Sequence, residues 1–114
     1  MAVDEVLLER LREIFADLRL TVRELKMFGG LGVMHRGHML CALWREGLIV
    51  RLGPAGLAEA LAAGECGVFE PMKGKAAGGL GFVPDAAELD DEPLREWVER
   101  SAAFVDNLPP KKEF

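Results

Sequence analysis

The sequence predicts an α+β fold: a mostly antiparallel sheet of about five strands flanked by N-terminal, middle and C-terminal helices. Three observations lead there. Apolar residues recur at helical spacing at both ends of the 114-residue chain. The middle switches to short apolar runs cut by glycine, and the two patterns are segregated rather than strictly alternating, which favours antiparallel pairing over βαβ units.

Taken in order, Leu7, Leu8, Leu11, Ile14, Phe15 and Leu18 line one face of a helix over 4–19. Asp4 and Glu5 stand where a helix start favours negative charge. Glu9, Arg10, Arg12, Glu13 and Asp17 make a solvated opposite face with short-range charge pairs. From Leu20 the period changes. "TVRELKMFGGLGVM" reads as one strand, bent at its glycines, and "HRG" as a tight turn with Gly37 left-handed. "HMLCALW" is the second strand, "REG" a turn with Gly47 supplying positive φ, and "LIVRL" the third. Residues 22–52 are thus expected as a three-stranded meander.

Gly53-Pro54 ends that meander, and "AGLAEALAAGE" forms a short helix stopped by Gly64. Val68-Phe69 and Leu80 to Val83 suggest two more strands around a loop rich in glycine and lysine. Asp90, Asp91, Glu92 and Pro93 are a helix-start signal. Leu94, Trp97, Val98, Val105 and Leu108 then give a closing helix over about 92–107, with 107–114 a frayed tail.

Composition narrows the function classes. Half the residues are apolar and 29% are charged, the balance of a globular chain. A chain of this size buries ~60–70% of its unfolded surface, so 1–114 is expected to be one domain. The longest apolar runs, such as Met39 to Trp44, fall short of the ~20 residues of a membrane span. The start "MAVDEVLLER" lacks a basic region before an apolar stretch. A cytoplasmic protein with no membrane contact is the expectation. With 14 basic residues scattered among 19 acidic ones and a net charge of −5, direct nucleic-acid binding is not expected, because phosphate neutralisation dominates such affinity. Cys41 and Cys66 form no CxxC and read as free thiols.

No catalytic set emerges. A dinucleotide fingerprint needs a third glycine and a helix directly behind it, whereas Gly30-Leu31-Gly32 runs on into strand. "MKGKAAGG" lacks the order of a P-loop. His35, His38 and Cys41 are all potential metal ligands, but in a 38–44 strand His38 and Cys41 point to opposite faces, and His35 is placed in the turn. Both histidines read as turn or surface residues, and neither a metal nor a cofactor is expected. Ser101 sits in no hydrolase motif. Met27, Phe28, Met34, Met39 and Met72 are core candidates, with an interaction surface as the other reading.

"KMFGGLGVMHRGHMLCALWREGLIVRLG", then "FEPMKGK" and "GFVP", then "DEPLREWVERSAAF" resemble the N-terminal domain of the TfoX (Sxy) family, regulators of natural competence in bacteria. The likeness runs from the first helix to Leu108, and its most specific part is Met27-Phe28-Gly29-Gly30. That resemblance implies an antiparallel sheet flanked by helices. It also implies a non-enzymatic regulatory or protein-interaction role, with Met27, Phe28, Gly29, Gly30, Met72 and Lys73 as signature residues, structural or partner-binding. Longer relatives carry a second, helical domain and are thought to act with a catabolite-type activator at promoters; that second domain is expected to be missing here. Gly78-Gly79-Leu80-Gly81-Phe82 departs from the aromatic strand usual in relatives, so an irregular strand is expected there. The expected partners are a second copy, in a homodimer, and a protein in transcription. The alternative is a small anionic ligand-binding protein, or an unrecognised enzyme, using the Gly/Lys loop 73–79 with His35 or His38.

Overall fold

The computed structural model describes residues 3–27, 29–70 and 78–109. Its elements are α1 (Glu5–Asp17), β1 (Arg23–Met27), β2 (Gly30–His35), β3 (His38–Trp44), β4 (Gly47–Arg51), α2 (Gly53–Ala62), β5 (Gly67–Val68), β6 (Leu80–Pro84), one 3-10 turn (Ala86–Glu88) and α3 (Asp91–Asp106). The strands form one six-stranded antiparallel sheet in the order β1-β2-β3-β4-β6-β5. The α+β class and the three helix positions are as the sequence predicts.

α1 begins where Asp4 accepts a hydrogen bond from the Leu7 N–H at 3.0 Å, satisfying one of the orphan donors of the first turn. Its buried residues are Leu7, Leu8, Leu11, Ile14 and Phe15. The opposite face is more than solvated surface. Arg10 donates to the Ala87 and Leu89 carbonyls at 3.0 and 2.6 Å and reaches Asp91, tying α1 to the 3-10 turn and the start of α3. α3 carries Asp91 and Glu92 in its first turn, where the helix dipole favours them, and buries Leu94, Trp97, Val98, Ser101, Ala102 and Val105.

The meander differs from expectation. Residues 22–52 hold four strands, because the first predicted strand folds back on itself: Met27 pairs with Gly30, and Arg23 with Met34. Gly29, at φ +76°, supplies the left-handed backbone that a two-residue turn requires. The next turn is of type I′, with positive φ at both Arg36 (56°) and Gly37 (82°). In the third turn Arg45, not Gly47, is left-handed, at φ 54°. Gly47 instead opens β4 under the Phe82 ring, which an ideal Cβ would meet at 2.5 Å. The sequence could not place these turns by glycine alone, because a short-range turn can force φ > 0 on arginine when the ladder beside it is strong.

β6 is regular across Leu80–Pro84, paired with β4 on one side and β5 on the other, so the glycines at 78–82 do not disrupt it. Gly79, at φ +77°, lets the chain pass Gly53 with the Cα of Gly53 3.1 Å from where a Cβ would stand. The Leu52 and Gly53 N–H groups donate to its carbonyl at 3.0 and 3.1 Å.

Register partners share a face, and the two faces differ. Val33, Cys41, Leu43, Leu48, Val50 and Val83 join the buried residues of all three helices in one core cluster. The other face carries a smaller cluster of Ala42, Ile49 and Phe69, with Met39, Trp44, Leu80 and Phe82 packed against it, and among the described residues no helix contributes to it.

Candidate functional site

The signature hairpin stands at one end of the sheet. β1 is the edge strand, and Met27 lies on the helix-free face with its side chain across Gly32, where an ideal Cβ would come within 2.6 Å of the thioether sulfur. Gly30 is buried against β3: a Cβ there would stand 2.2 Å from the Leu43 carbonyl oxygen. The glycines therefore let Met27 and the neighbouring backbone approach closely. Of the other signature residues, Phe28, Met72 and Lys73 lie outside the described residues, as do positions 73–77 of the Gly/Lys loop.

Under the hairpin, between it and the start of α1, is an open cleft of about 500 Å³, lined by apolar Val3, Leu8 and Leu31 and by charged Glu5, Arg12, Glu24 and Lys26. Arg12 grips Glu24 with both arms of its guanidinium, at 2.8 and 2.7 Å, and also contacts Glu9. That fork holds the Glu24 carboxyl below its usual range, with partial burial opposing the effect. Glu24 is thereby fixed in one orientation on an otherwise exposed strand.

Across the sheet, Trp44 sits edge-on to Phe69 and to Phe82, with ring centroids 5.2 and 5.7 Å apart. Arg45 covers the Trp44 ring at 4.4 Å. This aromatic patch is the most developed side-chain group on the helix-free face.

The histidines correct the sequence reading. His35 is the last residue of β2 and only 8% exposed, instead of lying in the turn or on the surface. Its Nδ1 is 3.0 Å from the Thr21 carbonyl and its Nε2 is 3.0 Å from Asp106 Oδ1. Arg36 donates to the Asp106 carbonyl at 2.8 Å, and His38 Nε2 donates to the Pro109 carbonyl at 2.7 Å. The turn thus supplies donors to the C-terminal end of α3, where the last carbonyls lack partners. Only the spacing "HRGH" hinted at this, and nothing local says that a helix 70 residues on will meet it. Cys41 is directed into the core, and burial pushes its thiol up to about 12. Cys66, partly buried, is shifted the same way by burial. Both are free. Among the described residues no three His, Cys, Asp or Glu side chains converge as a metal site would require, and no helix is long and apolar enough to cross a membrane.

The fold and these surfaces define a small α+β domain whose sheet has one helix-packed face and one helix-free aromatic face. The TfoX N-terminal domain family matches residues 13–105. The match covers most of the chain, and the protein belongs to that family. No curated protein and no solved structure matches it.

Proposed function

We propose that this protein is a non-enzymatic regulatory domain that works by binding protein, in the manner of the N-terminal domain of bacterial competence regulators, and that it does so as a homodimer. Membership of the TfoX N-terminal domain family, over residues 13–105, carries this reading. The two-faced sheet supports it: on the face that no helix covers among the described residues, half-buried Trp44 and Phe82 stand beside buried Phe69 and offer aromatic contact area of the kind that anchors protein contacts. The acidic net charge of −5 argues for a protein rather than a nucleic-acid partner.

Affinity capture with the full chain, in parallel with Trp44→Ala, tests it. The expected result is a specific protein partner recovered by the wild type and lost with the variant, whose thermal melt stays cooperative. Recovery of no partner by the wild type would overturn the reading. So would a thermal shift with phosphorylated metabolites, because a ligand at 100 times its dissociation constant stabilises by ~2.7 kcal/mol.

A further inference from the structure

Among the described residues, β1 leaves one long edge of the sheet open. At the opposite end β5 is only two residues, whereas β1 runs Arg23-Glu24-Leu25-Lys26-Met27, mostly exposed, with Leu25 at 37%. An open edge is a template for another strand, and a lysine on it discourages strands that cannot match its charge.

The order of residues names the strand that can. Laid antiparallel on itself about a two-fold axis through Leu25, this segment sets Glu24 opposite Lys26 of the other copy, Lys26 opposite Glu24, and Leu25 opposite Leu25. The backbone phase agrees. Met27 and Gly30 close a two-residue turn, so they exchange hydrogen bonds, and alternation along an antiparallel ladder gives Leu25–Gly32 and Arg23–Met34 the same role. The N–H and C=O groups of Glu24 and Lys26 then point away from β2, toward the edge. In the two-fold pairing these are the residues that exchange hydrogen bonds, and the two Leu25 residues form the closely spaced pair between them. The side chains are placed as well: Glu24 is held by Arg12, and Lys26, which forms no ion pair among the described residues, has its counter-charge in the second copy.

We infer that two copies of this chain join through antiparallel pairing of β1 about Leu25, giving one sheet that runs through both and doubling the helix-free face. This rests on the homodimer in the proposed function and assigns its contact. The interface is isologous, as a closed dimer requires.

The experiment combines light scattering with four variants of the full chain. Lys26→Pro removes an N–H that faces outward, which an edge strand tolerates, and Lys26→Glu sets like charges opposite each other. Both are expected to raise the dimer dissociation constant at least tenfold while leaving a cooperative melt. Leu25→Cys, in a Cys66→Ser background, is expected to form a disulfide-linked dimer under mild oxidation. Closely spaced antiparallel partners have Cα atoms about 4.5 Å apart, inside the roughly 4.4–6.8 Å window of a disulfide. Arg23→Cys, opposite Met27, is the unlinked control. A wild-type dimer that neither position-26 variant weakens, with no Leu25→Cys cross-link, would overturn this contact and leave the homodimer standing. A wild type that stays monomeric would overturn both.

Discussion

Ser101→Ala is expected to stabilise this protein. Ser101 lies on the core face of α3 at 0% exposure, and its Oγ has no hydrogen-bond partner among the described residues. Burying an unpaired hydroxyl costs ~1–3 kcal/mol. Alanine removes that cost and is the better helix former by roughly 0.5 kcal/mol. Against this, the void left by one oxygen is smaller than a methyl group, so its cost stays under ~1 kcal/mol. The net gain is ~1–2 kcal/mol. In a domain of this size that raises Tm by roughly 4–8 °C. Urea titration gives the free energy and calorimetry gives Tm, with an unchanged m value required for the comparison. A variant less stable than wild type would refute the reasoning, since it would mean that the hydroxyl is satisfied by a buried water.

Gly30→Ala should destabilise by ~2–4 kcal/mol in the same titration, because its Cβ meets the Leu43 carbonyl of the neighbouring strand, which cannot move without breaking the β2–β3 ladder. Gly32→Ala should cost less, since the obstacle is the flexible end of Met27. Glu24 sets an acid dependence. Its carboxyl is held low in the folded state by Arg12, so its stabilising contribution is present above the unfolded value of about 4.3 and is lost as pH falls from there toward the folded value. Urea midpoints between about pH 6 and pH 3 should therefore fall less steeply for Glu24→Gln than for wild type. With a thiol-alkylating reagent at mildly alkaline pH, Cys66 should react first. Cys41 should be modified at the rate of unfolding, since it is fully buried and burial holds its thiol near 12; rapid labelling of both would contradict the core position of Cys41.

Much of this was legible in the residues. The helical stripes of α1 and α3 and the glycine-delimited runs between them led to the correct class, because periodicity reports directly which side of an element faces the core. The limits of that reasoning are equally specific. Residues 21–34 read as one strand, since "LKMFGGLG" has strand character on both sides and the period does not show where a chain doubles back. Cys41 was readable as buried, whereas His35 was not, because its ring is satisfied by Thr21 and by Asp106 from distant parts of the chain.

The family signature divides the same way. Resemblance to the family marked Met27-Phe28-Gly29-Gly30 as distinctive, while residue order alone showed no catalytic motif to be complete. Why Gly30 and Gly32 must lack side chains depends on Leu43 and Met27 lying above them, a matter of cross-strand packing. Period and punctuation thus determined the elements, since each is encoded by residues adjacent in sequence. The placement of all three helices on one face, the open β1 edge and the aromatic patch opposite were decided by the tertiary structure, because they depend on which distant surfaces are buried together.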